Sequence, residues 1–129
     1  MQYFTLASFV ALVSLATADD GPGPTFTISP YGNGDTVCKA SALLDPPGQF
    51  IVGPGDVGTS RQLPLDTSAV GFFYDPNSSP AYKIDYFVNP MCNGLPDYTE
   101  YPTIGESGCS VPAGAPWTCF QINAYPPPS

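Results

Sequence analysis

Histidine is missing from the sequence, and only three residues are cationic: Lys39, Arg61 and Lys83. Without histidine, the Ser-His-Asp and Cys-His machinery of acyl transfer cannot be built. The histidine-assisted acid–base chemistry of small secreted ribonucleases is excluded on the same ground. The shortage of cations limits partners. Eleven carboxylates give a formal charge of −8, so no stripe of Lys and Arg is available to neutralise phosphates. Nucleic acid and anionic membranes are therefore not expected as partners. Long apolar runs are scarce as well. The one at Phe9 to Leu15 falls short of the roughly 20 residues that a membrane span requires. It is followed by Ala16 and Ala18, the small-residue pattern of a signal-peptide cleavage site. We expect residues 1–18 to be a secretory leader cut before Asp19, with residues 19–129 forming one small extracellular domain.

What the chain does contain is cysteine in an even number, with four at Cys38, Cys92, Cys109 and Cys119. In a short exported chain these read as two disulfides. Zinc is the competing reading, and it fails on the wide spacing and the lack of histidine. Four cysteines allow three connectivities. We expect Cys92–Cys109, pinning an acidic Pro-rich loop at its base, and Cys38–Cys119, tying the first and last strands together. The nearest rival is Cys38–Cys92 with Cys109–Cys119.

Seventeen prolines and thirteen glycines punctuate the sequence, and no long helix fits between them. The best helical stretch, Cys38 to Leu44, is worth one or two turns. Strand signals are clearer. In "AYKIDYFV" Tyr82, Ile84, Tyr86 and Val88 alternate with Lys83, Asp85 and Phe87. In "AVGFFY" Val70, Phe72 and Tyr74 alternate with Ala69 and Phe73. The connection "DPNSSP" is rich in turn formers, so these two runs read as a hairpin. Further strands are expected at Thr25 to Ser29, Asp35 to Ala40, Gln49 to Val52 and Trp117 to Ala124. Short strands at turn-rich spacing predict an all-β fold, a small antiparallel sandwich or barrel. The expected core is Phe26, Ile28, Val37, Phe50, Val70, Phe72, Ile84, Tyr86, Val88, Phe120 and Ile122.

Two groups of residues carry functional readings. Asp97, Glu100 and Glu106 share the segment "LPDYTEYPTIGES", and a pair of carboxylates is the minimum for glycoside hydrolysis. Calcium also favours clustered oxygens, but no EF-hand spacing occurs and Asp35, Asp56 and Asp97 are scattered. No metal and no cofactor is expected. The aromatic residues Tyr98, Tyr101, Trp117 and Tyr125 lie in Pro-flanked segments, where exposed rings stack on sugars or anchor a protein. Their structural alternative is to cap the ends of the sandwich. Asn77 opens an N-S-S sequon in the turn before Pro80, a candidate glycosylation site.

The leader, together with "YFVNPMCNG", "GCS" and "WTCFQI" between Tyr86 and Ile122, resembles small secreted cysteine-containing proteins of filamentous fungi. That resemblance implies an acidic, β-rich, disulfide-stapled protein of the cell surface or of the effector-like kind, and it carries no catalytic residues. The sequence thus predicts a secreted, non-catalytic binding or surface protein whose partner is an extracellular glycan or protein. A small glycan-active hydrolase using the Asp97 to Glu106 carboxylates is the alternative.

Overall fold

The computed structural model describes residues 23–125, so the expected leader and its cleavage point lie outside the described residues. Among the described residues eight strands form: β1 Phe26–Tyr31, β2 Phe50–Val52, β3 Ser60–Gln62, β4 Ala69–Tyr74, β5 Tyr82–Phe87, β6 Tyr98–Glu100, β7 Ser107–Ser110 and β8 Cys119–Ala124. They make a sandwich of two four-stranded sheets, β2-β1-β4-β7 and β3-β8-β5-β6. Every pairing is antiparallel. Among the described residues the only helical pieces are single 3-10 turns at Ala40–Ala42 and Pro54–Asp56. The first falls within the expected helical stretch.

Alternation explains the layers. Phe26, Ile28, Val70, Phe72 and Tyr74 from one sheet face Ile84, Tyr86, Phe120 and Ile122 from the other, all buried. Each such side chain removed from water stabilises the fold by about 1.5–3 kcal/mol. Pro30 is tolerated inside β1 because β2 is short. β2 pairs only with residues 26–28. Beyond it an isolated bridge from Leu43 to Tyr31 uses the Pro30 carbonyl, which accepts from Leu44 N–H at 2.9 Å. The ladder on that side thus asks no N–H of Pro30. Gly108 in β7 gives room for the ring of Phe72, whose Cζ lies 2.7 Å from where a β-carbon would stand. At the opposite edge Arg61 of β3 is paired with Asp56 at 3.2 Å. That edge strand is three residues long and carries a charge, two devices that blunt edge-to-edge association.

The expected hairpin does not form. β4 pairs with β1 and β7, whereas β5 pairs with β8 and β6. Residues 75–81 therefore arch from one sheet to the other. Polar groups of the arch are taken up by the segment leading into β1. Thr25 N–H donates to Ser78 Oγ at 2.8 Å, and Ser79 N–H donates to Gly23 O at 2.9 Å. Pro76 and Pro80 have no N–H to offer a hairpin ladder. The arch also lets the apolar faces of the two strands meet across the core, where a hairpin would have set them side by side.

The strand expected at Asp35 to Ala40 is a loop. Cys38 sits there with φ of 56°, and Val37 is 67% exposed, which removes it from the expected core. Three short strands, β3, β6 and β7, were not expected. The outward set of β5 is not simply solvated either. Asp85 is buried and accepts hydrogen bonds from Thr99 Oγ1 and Asn123 Nδ2, each at 2.7 Å, with Lys83 Nζ at 3.5 Å. One carboxylate thus ties β6 and β8 to β5.

The disulfides are Cys38–Cys109 and Cys92–Cys119, which corrects the expected Cys92–Cys109 and Cys38–Cys119. The cause is topological. Cys109 pairs with Gly71 on the outer face of the first sheet, where Cys38 approaches the same glycine. Cys92 and Cys119 cluster with Phe87 on the outer face of the second sheet. Any other pairing would run through the core. The oxidised cysteines indicate an oxidising environment, and among the described residues no helix is long and apolar enough to cross a membrane.

Candidate functional site

At one margin of the sandwich the edge strands of the two sheets, β6 and β7, are joined by a side-chain hydrogen bond. The register of β5 with β6 sets Tyr86 opposite Tyr98 and Ile84 opposite Glu100. Tyr98 and Glu100 therefore share the inner face of the sheet at its margin. Asp97 closes the connection between these strands. Its N–H donates to Tyr86 O at 2.9 Å, and its Oδ2 accepts from Val88 N–H at 2.7 Å. Across the gap, buried Ser110 of β7 donates from Oγ to Glu100 Oε1 at 3.0 Å, and Tyr98 OH donates to the same oxygen at 3.1 Å. Glu100 thus bridges the two sheets.

Trp117 completes the site. Its ring stacks on Tyr86 at 4.1 Å and on Tyr98 at 5.7 Å, with interplanar angles of 14° and 7°. Tyr86 and Trp117 are buried, and Tyr98 is the outer ring, 45% exposed. The segment Val111 to Pro116 returns the chain to β8, and its small residues Ala113, Gly114 and Ala115 help line a cleft of about 580 Å³ with Asp97, Tyr98 and Glu100. That volume is within the range of small-molecule sites.

The electrostatics of the cleft are one-sided. Arg61 is engaged with Asp56, Lys83 with Asp85, and Lys39 borders a separate groove at Gly32 to Ala42. No cation of the chain lines the cleft. The Tyr86 hydroxyl is buried without a hydrogen-bond partner. Ser110 lies beside it without a well-aligned bond, and burial, with the nearby Glu100 charge, drives its pKa far above the usual phenol range. Burial also raises Tyr98, helped by the hydrogen bond it gives Glu100 and by that carboxylate's charge. Both phenols are neutral at physiological pH.

The four aromatic residues singled out from the sequence separate into two pairs. Tyr98 and Trp117 form the cleft, although Trp117 is buried and only 4% exposed. Tyr101 and Tyr125 meet edge to face at 4.8 Å. They lie by the 75–81 arch, where Tyr125 lines an apolar groove with Pro80 and Ile104. Of the three carboxylates, Asp97 and Glu100 line the cleft. Glu106 instead accepts from Thr103 N–H at 2.8 Å and closes its own turn. No group of residues suited to hold a metal occurs among the described residues, and Asp35 and Asp56 stay apart from Asp97. Ser110 and the Tyr86 hydroxyl were not foreseen. No local signal marks them, because their place depends on which strand of one sheet lies against which strand of the other.

Asn77 is exposed in a turn in which its N–H donates to Asp75 Oδ1 at 2.8 Å. The arch follows Tyr74 and precedes Tyr82, whereas the cleft lies by Tyr86 and Ser110, so the sequon and the cleft occupy opposite ends of the strands. Comparison with protein-family models, curated proteins and solved structures finds no match.

Proposed function

We propose that the protein is secreted and binds an extracellular glycan in the cleft between β6 and β7, without turning it over. The observation that carries this reading is the cluster of near-parallel rings Tyr86, Trp117 and Tyr98, in which the exposed ring, Tyr98, lies beside Glu100 and Asp97. A sugar ring has one apolar face to lay on an aromatic plane and hydroxyls at its rim to donate to carboxylates. The two disulfides support an extracellular setting, and so does the leader proposed at residues 1–18. A glycan on Asn77 would sit at the far end of the sandwich and leave the cleft free. A surface or effector-like role, toward a cell wall or a host, is the wider setting that we propose.

The placing of Asp97 and Glu100 in one cleft favours a second reading, a carboxylate glycoside hydrolase. Against it, each carboxylate has an oxygen committed to holding the structure: Oδ2 of Asp97 on Val88 N–H, and Oε1 of Glu100 on two hydroxyls. A glycan array run beside a hydrolysis screen separates the readings. We expect binding that Tyr98→Ala abolishes and no release of reducing ends. Turnover lost on Asp97→Asn or Glu100→Gln would establish the hydrolase, and an array without any bound glycan would overturn the proposal.

A further inference from the structure

We infer that the cleft selects a glycan bearing a free, protonated amine, of the glucosamine type; this rests on the glycan-binding reading above. The first ground is charge. Asp97 and Glu100 line the cleft, and all three cations of the chain are placed elsewhere. A uronate or a phosphorylated sugar would meet like charge at close range. The second ground is hydrogen bonding. Ionised carboxylates only accept, so the ligand must bring donors, and an ammonium group brings three. An N-acetylated sugar replaces them with a single N–H and a carbonyl acceptor.

The third ground is shape. Quaternary ammonium groups are held in aromatic cages, with rings standing as walls around the charge. Here the rings lie within 7–19° of parallel and only Tyr98 is exposed, so the surface offered is one aromatic ring with carboxylates beside it. That fits a ring carrying an amine better than a lysine side chain. The buried Tyr86 hydroxyl is an independent sign. It stands without a partner beside Ser110, which itself donates to Glu100, so one polar group beneath the cleft is unsatisfied. Buried polar groups left unpaired are rare and call for a reason. A ligand that takes Glu100 as its acceptor would free the Ser110 hydroxyl, which now donates to Glu100, to pair with Tyr86.

The experiment is isothermal titration of the intact protein with glucosamine oligomers, N-acetylglucosamine oligomers, galacturonate oligomers and a lysine oligomer, at low and high salt. Glucosamine oligomers should bind at least about tenfold more tightly than the N-acetylated series, a factor set by one charge-assisted hydrogen bond, and high salt should weaken them. Galacturonate should not bind. Glu100→Gln should remove most of that advantage, with Asp97→Asn as the second variant if the first misfolds. Equal or tighter binding of the N-acetylated series would overturn the amine inference and leave glycan binding standing. A lysine oligomer bound as tightly would overturn the choice of a sugar, and glucosamine binding that neither variant alters would move it off the cleft. Failure of the glucosamine arm overturns the inference whatever the array shows, while an array without any bound glycan defeats the underlying reading.

Discussion

Ile84 has no exposed surface and lies between Ile122 of β8 and Glu100 of β6 on the inner face of its sheet. Ile84→Ala should therefore destabilise the protein by about 2–5 kcal/mol, the range for a cavity of this kind, read from the denaturant midpoint. Gly108→Ala probes the reverse error. Its new methyl group would meet the Phe72 ring at 2.7 Å, and overpacking of that order costs about 1–3 kcal/mol. Tyr98→Ala should behave differently from both. Its ring is the exposed member of the cluster, so stability should fall by about 1 kcal/mol or less. The emission of Trp117, the single tryptophan, should shift toward that of a solvated indole. At this scale the sequence was readable wherever alternation governs burial. It was misleading at Val37, whose apolar side chain stands in a loop, and at Trp117, whose proline-rich surroundings suggested exposure.

The strands were legible as elements and illegible as neighbours. The bounds of β4 follow directly from the pattern of "AVGFFY", and β5 from that of "AYKIDYFV". Their partners do not, because a short turn-rich connection serves a hairpin or an arch equally well. Only the competition of both apolar faces for one core decides between them. The same gap explains the disulfides. Once each cysteine is assigned to an outer face, one pairing remains, but that assignment needs the sheet order. β6 and β7 were hidden for a related reason: three- and four-residue edge strands carry too little pattern to detect. The pairing itself is open to direct test. Trypsin with cleavage at Glu100 and Glu106, without reduction, should leave the peptide from Ser107 joined to both other cysteine peptides. Cleavage after Trp117 should then release Cys119 with Cys92 and Cys109 with Cys38. Cys119 leaving with Cys38 would contradict the fold described here.

At the scale of the whole molecule, two sheets are fixed by one core and one disulfide on each outer face. In the chain-entropy picture each bridge contributes about 3–5 kcal/mol by restricting the unfolded state. The loops they close have sequence separations of 71 and 27 residues. Reduction should therefore lower the thermal midpoint strongly. Alkaline pH should act through the buried phenols. Burial holds Tyr86 and Tyr74 above the ordinary phenol pKa, so the folded state keeps protons that the unfolded chain releases above about pH 10. Stability is thus complete below that point and declines as pH rises through it, by about 1.4 kcal/mol per pH unit for Tyr86 alone. A tyrosinate absorbance titration should show these phenols ionising only as the protein unfolds.

The central claim is that function resides at the margin formed by β6 and β7, and amide chemical-shift mapping tests it most directly. Titrating the labelled protein with the oligosaccharide that binds best on the array should move resonances of residues 97–100 and 110–117. The resonances of 101–104 and Tyr125, by the arch, should stay still. Shifts confined to that second aromatic pair, with the cleft unmoved, would contradict the account.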